Sequence, residues 1–536
     1  MRQRTHLCLI LALLMLALPL NTPAAAQQLN APCGIVDALE YPIDNLVAGY
    51  DDFARFRQRF GGNHTGLDTG FDRWGDPVRA AARGRVTYAD PEGWDTEKGV
   101  VIVEHYFPDG SLIYTLYGHM EETETIRFPR VDTCVELGSL LGTIGWPSRG
   151  RPHLHYEIRR ILPDDGGPGY VTGNPLDEGW YNPLDFTTLW RLRFSPAFSS
   201  FLSFDTVPAL PPVRLSGDQY VVAGGNTLTA LLPPTQVLWR VEAGTDITSV
   251  AALPGDRVVA QNSSGQVFVL QNGRYLAAWT VQGAAGGFVT LGETLFFPMV
   301  DGGLSAYDSA GTWLWALAGT AGTQAVNIQA GIGQIALTLQ IPGGFVWRLI
   351  NLDGTLAGEL ALDAAPVTAP APDGGWVALA GTELIRWNGL ERQTLAAVNP
   401  LPGAGAQVTL DNAGGIYLYL ADSDSTLLAF GAAGEARWRA TFPRGADGLP
   451  PLLRAGGSCL LYALDGSGML SAFAAGDGRL INQAQLYGGG TRNSNPRSRF
   501  LSVNPDGSVQ AGAGYITLVT LDGLRFGGEA AGCAPA

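Results

Sequence analysis

From about Ser216 the chain repeats itself, and nothing else in it restricts the fold so tightly. Similar units begin near Tyr220, Arg257, Thr294, Gln334, Gly375, Gly415, Cys459 and Ser508, spaced by 37 to 49 residues. Most carry a β-like run, a Gly or Asp turn, an apolar run with aromatics, a second turn and a third run. Gly303 to Trp315 and Thr426 to Trp438 are two such copies. A period near ~40 residues with about four strands per unit is the signature of propeller blades. One blade cannot bury its own faces, so the units must stack and close into a ring. The pattern predicts a seven- or eight-bladed β-propeller over residues 216–527, with a short tail at 528–536.

The region from Ala31 to Phe186 has a different texture. Short β-like runs broken by glycine (Gly84 to Tyr88, Gly99 to His105, Leu112 to Tyr117, Leu140 to Ile144) are separated by turn signals such as Pro108-Asp109-Gly110. That is how a compact antiparallel sheet domain reads. Only Leu46 to Phe60 hints at a helix. The expectation is a mostly β chain of two domains, since 536 residues exceed one ordinary core. Residues 187–215, mixing aromatics, serine and proline, read as a linker.

One stretch of the first domain carries chemistry: Arg151-Pro152-His153-Leu154-His155-Tyr156-Glu157-Ile158-Arg159. In a strand alternate side chains face opposite ways, so His153, His155 and Glu157 share one face and Leu154, Tyr156 and Ile158 the other. The apolar face holds the strand down and the polar face is expected to line a groove. Catalytic Zn²⁺ takes three N or O ligands and keeps a position for water. His64, Asp68 and one histidine of the 153/155 pair make such a set, leaving the other imidazole for acid–base work. The chain has only six histidines, and His105, before a turn, reads as structural or groove-lining. Glu157 reads equally as a partner of a metal ligand or as a surface glutamate.

Residues 1–26 read as a secretory signal: Arg2 and Arg4, an apolar run from Leu7 to Leu20, and Ala24-Ala25-Ala26 before Gln27. The run is shorter than the ~20 residues of a membrane span, and no later stretch replaces it. Its removal takes away two arginines and no acid from a chain already at −15, so binding nucleic acid through a basic face is not expected. Cys33, Cys134, Cys459 and Cys533 remain, an even count that suggests disulfides in an exported protein. Pairing Cys33 with Cys134 and Cys459 with Cys533 keeps each bond within one domain.

In order, His64-Thr65-Gly66-Leu67-Asp68, Gly84-Arg85-Val86, Tyr117-Gly118-His119-Met120, the glycines 138, 142 and 145, and His153-Leu154-His155-Tyr156-Glu157 resemble the M23 metallopeptidases of the LytM and lysostaphin type. Asn182-Pro183-Leu184-Asp185-Phe186 resembles the usual end of that domain. The resemblance implies one Zn²⁺ per chain held by His64, Asp68 and His155, with His119 and His153 as the catalytic pair. Met120 stands where leucine is common. The C-terminal units resemble PQQ-like repeats in a degraded form, which sets architecture and implies no quinone.

The expected function is that of a secreted or periplasmic zinc metalloendopeptidase cutting peptide bonds in peptidoglycan, with the propeller binding the wall or a protein. The competing reading is a non-catalytic M23 module that binds wall peptide or regulates another cell-wall hydrolase. Degenerate relatives of that kind usually lack ligands, whereas all five positions are filled here.

Overall fold

The structure, a computed structural model, describes residues 31–44, 46, 52–203, 208–398, 405–422, 425–442, 449–457, 459–486, 499–504, 506–513 and 517–528. The signal expected at residues 1–26 and Cys533 lie outside them. Among the described residues no helix is long and apolar enough to cross a membrane. Two compact units divide the chain, one holding Asp52–Pro183 and the other running on from Leu184.

The first unit is built on an antiparallel sheet whose main path runs Trp180–Tyr181, Leu154–Arg159, Leu112–Glu121, Gly99–Tyr106, Gly84–Asp90, Cys134–Val135. The Leu67–Thr69 strand joins it beside Leu154–Arg159, and Leu140–Ile144 joins beside Leu112–Glu121. The 107–111 turn is the one read from Pro108-Asp109-Gly110: the Phe107 N–H donates to Ser111 O, and Gly110 takes a φ of +86°. Val100, Ile102, Tyr114 and Leu116 form a core patch on the central strands, against which Tyr88 and Trp94 pack. Cys33 and Cys134 are bonded and close a loop with a sequence separation of 101, which ties the start of the domain to its sheet.

Two expectations for this unit are corrected. Leu154–Arg159 is buried along its whole length, the polar side chains included, so its histidine face is no open groove. The helix hinted at by Leu46 to Phe60 is absent among the described residues. Instead Phe56–Arg57 pairs antiparallel with Gly62 and Asn63 in a small sheet completed by Tyr170–Val171. Within that segment Arg57 and Asp52 form an ion pair at 2.9 Å.

The second unit holds eight four-stranded antiparallel sheets among the described residues, so the seven-or-eight expectation resolves to eight blades. The second strands of the blades start at Tyr220, Arg257, Thr294, Gln334, Trp376, Ile416, Leu460 and Ser508, within one residue of the repeat starts read from the sequence. Apolar clusters bridge each blade to the next, for example Phe296 and Ala306 with Leu337 and Ile350, then Trp347 and Leu349 with Trp376 and Trp387. An eighth cluster, Leu202 and Leu518 with Tyr220, Val222 and Leu231, joins the last blade to the first and closes the ring.

The linker expected at 187–215 is also corrected. Its residues form the end of the Pro183–Arg193 helix, the Phe198–Ser203 strand and Val213–Arg214, the inner strand of the first blade. Phe198–Ser203 pairs with Thr517–Asp522 and becomes the outer strand of the last blade. A ring of separate sheets has no backbone seam, and hydrogen-bonding an early strand of the second unit to a late one within one blade supplies it.

Blade cohesion rests on these inter-blade clusters. Trp347, fully buried against Trp376 and Trp387, is expected on truncation to alanine to cost about 3–5 kcal/mol. Leu390→Ala, at a side chain 88% exposed, is expected to change stability by less than about 0.5 kcal/mol. Urea unfolding followed by tryptophan fluorescence measures both.

Candidate metal centre

Sheet register builds the site. On the Leu154–Arg159 strand His155 stands opposite Asp68 on one side and Gly118 on the other. His64 arrives from the small sheet, where it pairs with Tyr170. Thr65-Gly66 turns the chain between the strands carrying His64 and Asp68. A Cβ at Gly66 would lie 2.6 Å from Tyr156 O and 2.9 Å from the His155 ring, so only glycine passes there.

The result is a triangle of donor atoms. His64 Nε2 lies 3.2 Å from Asp68 Oδ1, His155 Nδ1 lies 3.1 Å from the same oxygen, and the two ring nitrogens are 3.0 Å apart. Tetrahedral zinc with bonds of about 2.0–2.1 Å needs its donors roughly 3.3 Å apart. The spacing therefore suits one small divalent ion, and this His–Asp–His group can hold a metal. Lone pairs this close repel unless a proton or a cation lies between them.

Charge in the surroundings points the same way. Burial disfavours a charge on His64, yet Asp52 and Asp68 outweigh it and hold the imidazole up at about 10. Burial likewise opposes a charge on His155, and Asp68 and Glu157 raise it. Burial opposes a charge on the half-buried Asp68 as well, but the two histidines keep its carboxyl well below the usual range. The pocket thus favours positive charge at its centre.

Both histidines of the triangle are backed by carboxylates. His155 Nε2–H donates to Glu157 Oε1 at 3.0 Å, and that fully buried carboxylate also accepts from Thr65 Oγ1 at 2.5 Å, Trp180 Nε1 at 2.9 Å and Arg159 Nη1 at 2.9 Å. Of the two readings of Glu157, the structure gives the one in which it orients His155. His64 Nδ1 faces Asp52 Oδ2 at 3.2 Å.

His119 and His153 meet beside the triangle, ring centroids 4.6 Å apart, with His153 Nε2 3.7 Å from Asp68 Oδ1. His119 is brought there by a bulge. Pairing with Gly99–Tyr106 slips between Tyr117 and Met120, and His119 takes a φ of +58°. In an unbroken strand His119 would share the face of Tyr117, which is buried in the core; the bulge re-aims it. Trp94 lies over Gly118, where a Cβ would come within 2.2 Å of its ring, and meets His119 edge-on at 5.0 Å. His119 Nδ1–H donates to Glu97 O at 2.7 Å and His153 Nδ1–H to Arg151 O at 2.9 Å, so both rings present an Nε2 lone pair. Burial, helped by His153, lowers His119 to about 3 and keeps it neutral.

His105 stays apart, as expected: fully buried, it is held by Arg83 O and Thr115 Oγ1 at 2.8 Å each. Sequence reasoning missed Asp52, Trp94 and Trp180, each of which reaches the site from a distant loop or strand with no motif to mark it.

Residues 62–176 match the model of peptidase family M23. All five histidine and aspartate positions lie within that M23 stretch, and Asp52 and Trp180 lie outside it. No curated protein matches the chain. Among solved structures the chain is similar to BamB from Moraxella catarrhalis, at 15% identity and TM-score 0.46 over 60% of this chain and 98% of that one. It is also similar to the computationally designed Ika8, at 14%, 0.47, 60% and 99%, and to Saccharomyces cerevisiae Sqt1, at 14%, 0.44, 61% and 98%.

The donor triangle leads to a stoichiometry. Metal-free protein titrated with zinc is expected to bind one ion per chain tightly. His64→Ala, Asp68→Ala and His155→Ala should each weaken binding by at least about 100-fold, while His153→Ala retains it. Competition against a chromophoric chelator, with elemental analysis, measures the set.

Proposed function

We propose that this chain is an exported zinc metalloendopeptidase that hydrolyses peptide bonds of peptidoglycan, its propeller serving as a binding module for the wall or a protein partner. One observation carries the reading: a His–Asp–His triangle of metal-ligand dimensions, its two histidines buried, with two further imidazoles, His119 and His153, each held at Nδ1 and turning Nε2 toward its edge. The M23 match supports peptide hydrolysis, and the Cys33–Cys134 bond supports an oxidising compartment outside the cytosol.

His64, Asp68 and His155 would hold the zinc. When bound, it supplies Lewis acidity, polarising a scissile carbonyl and bringing a water's pKa down to near ~7. The remaining work falls to the chain. A neutral His119, its Nδ1–H fixed on Glu97 O, takes the attacking water's proton at Nε2. The same Nε2 is placed to return that proton to the leaving amine. His153, stacked on Phe71 at 5.3 Å and held at Nδ1 by Arg151 O, would take up a proton from solvent at Nε2 and donate it as a hydrogen bond to the developing oxyanion. Asp68 sits between the two functions, close to the ligand rings and to His153.

The non-catalytic alternative needs no such pair, and nothing in the site's geometry favours it. Incubated with isolated cell walls, the protein is expected to release fragments with new amino termini and no new reducing sugar ends, read by mass spectrometry. His119→Ala and His153→Ala should each lower kcat by about 10²–10⁴-fold with zinc content unchanged. Walls left intact by zinc-loaded wild type, or histidine variants of full activity, contradict the proposal.

A further inference from the structure

Asp52 belongs to no motif and lies outside the residues that match M23, yet its side chain is fully buried beside the donor triangle. A buried carboxylate is tolerated only when its oxygens are engaged. Both are. Oδ1 accepts the main-chain N–H of Asp68 at 3.1 Å, and Oδ2 accepts Arg57 Nη2 at 2.9 Å and lies 3.2 Å from His64 Nδ1, a buried nitrogen that has no other partner among the described residues and is close to this oxygen without being aligned on it. The surrounding backbone closes on the same histidine: the Ala54 N–H donates to His64 O at 2.8 Å, and the His64 N–H donates to Arg55 O at 3.0 Å. One side chain therefore touches two corners of the triangle, the ring of His64 and the backbone of Asp68.

We propose that Asp52 is a positioning residue for the metal site, fixing the ring proton of His64 on Nδ1 so that the Nε2 lone pair points at Asp68 and His155. The inference rests on the metal reading above. Histidine ligands commonly donate their second N–H to a carboxylate, and losing that partner costs about 10–100-fold in metal affinity. Arg57, 31% exposed at its side chain, anchors the carboxylate from the solvent side. Glu157 performs the matching task for His155 from within the strand that carries it.

Asparagine cannot do the same work. Its single oxygen can accept from Asp68 N–H or from His64 Nδ1–H, and its NH₂ group is then left facing a donor. Where the NH₂ faces Nδ1, the ring keeps its proton on Nε2, aimed at the ion.

The test uses the full chain. Zinc affinity is measured by chelator competition for wild type and Asp52→Asn, and the imidazole tautomers of the zinc-loaded proteins are read from long-range ¹H–¹⁵N spectra. The expected result is an affinity about 10–100-fold lower in Asp52→Asn, with loss of the Nδ1–H pattern of His64. Affinity within twofold of wild type overturns the inference, as does weaker binding with the His64 pattern unchanged, which marks a merely structural role. Should Asp52→Asn fail to fold, Arg57→Gln keeps the carboxylate and removes its anchor, with an expected loss smaller than the roughly 10–100-fold of losing the carboxylate itself; unchanged affinity there overturns the inference equally. A wild type that takes up no zinc overturns the metal reading as well, which separates the two failures.

Discussion

The site depends on the register of one strand. Leu154–Arg159 is hydrogen-bonded on both sides, and the pairing that sets His155 against Asp68 also sets it against Gly118, the residue before His119. Side chains alternate with a period of two, so a slip of one residue would turn His155 and Glu157 into the apolar layer and bring Tyr156 to the place of His155 in the triangle. Leu154, Tyr156 and Ile158, all fully buried, oppose that slip. The same burial that stabilises the sheet therefore places the imidazoles, and the chemistry inherits its precision from packing rather than from the polar contacts themselves.

That precision requires charge to be buried, which the protein manages by pairing. Glu157 has four donors around it and Asp52 has a guanidinium, a main-chain N–H and an imidazole. Removing one partner from such an array leaves an uncompensated charge, so the groups around the triangle are held in place as a set. The propeller solves a different problem by repetition. Each blade buries its faces against its neighbours, and ring closure is secured by hydrogen bonds between the Phe198–Ser203 and Thr517–Asp522 strands.

Much of this was legible in the sequence because it follows fixed periods. A spacing of two put His153 and His155 on one face, a spacing of four around a glycine brought His64 and Asp68 to one point, and a repeat near forty limited the blades to seven or eight. What escaped follows no period. Asp52 reaches the site through tertiary contacts alone. His119 is aimed by a bulge that no local pattern announces, and Phe198–Ser203 is too short and too mixed in polarity to stand out from a linker. The open groove expected on the histidine strand was wrong for a related reason: alternation marks which side chains share a face, and the Glu157 network with Thr65 and Trp180, which buries that face, comes from elsewhere in the chain.

The central claim is that three side chains converge on one divalent ion. Diffraction from crystals grown with equimolar zinc, recorded at the zinc absorption edge, tests it without reference to activity. The account requires one anomalous peak per chain, within bonding distance of His64 Nε2, Asp68 Oδ1 and His155 Nδ1. Bound zinc at His105 or in the propeller with none at the triangle would contradict it.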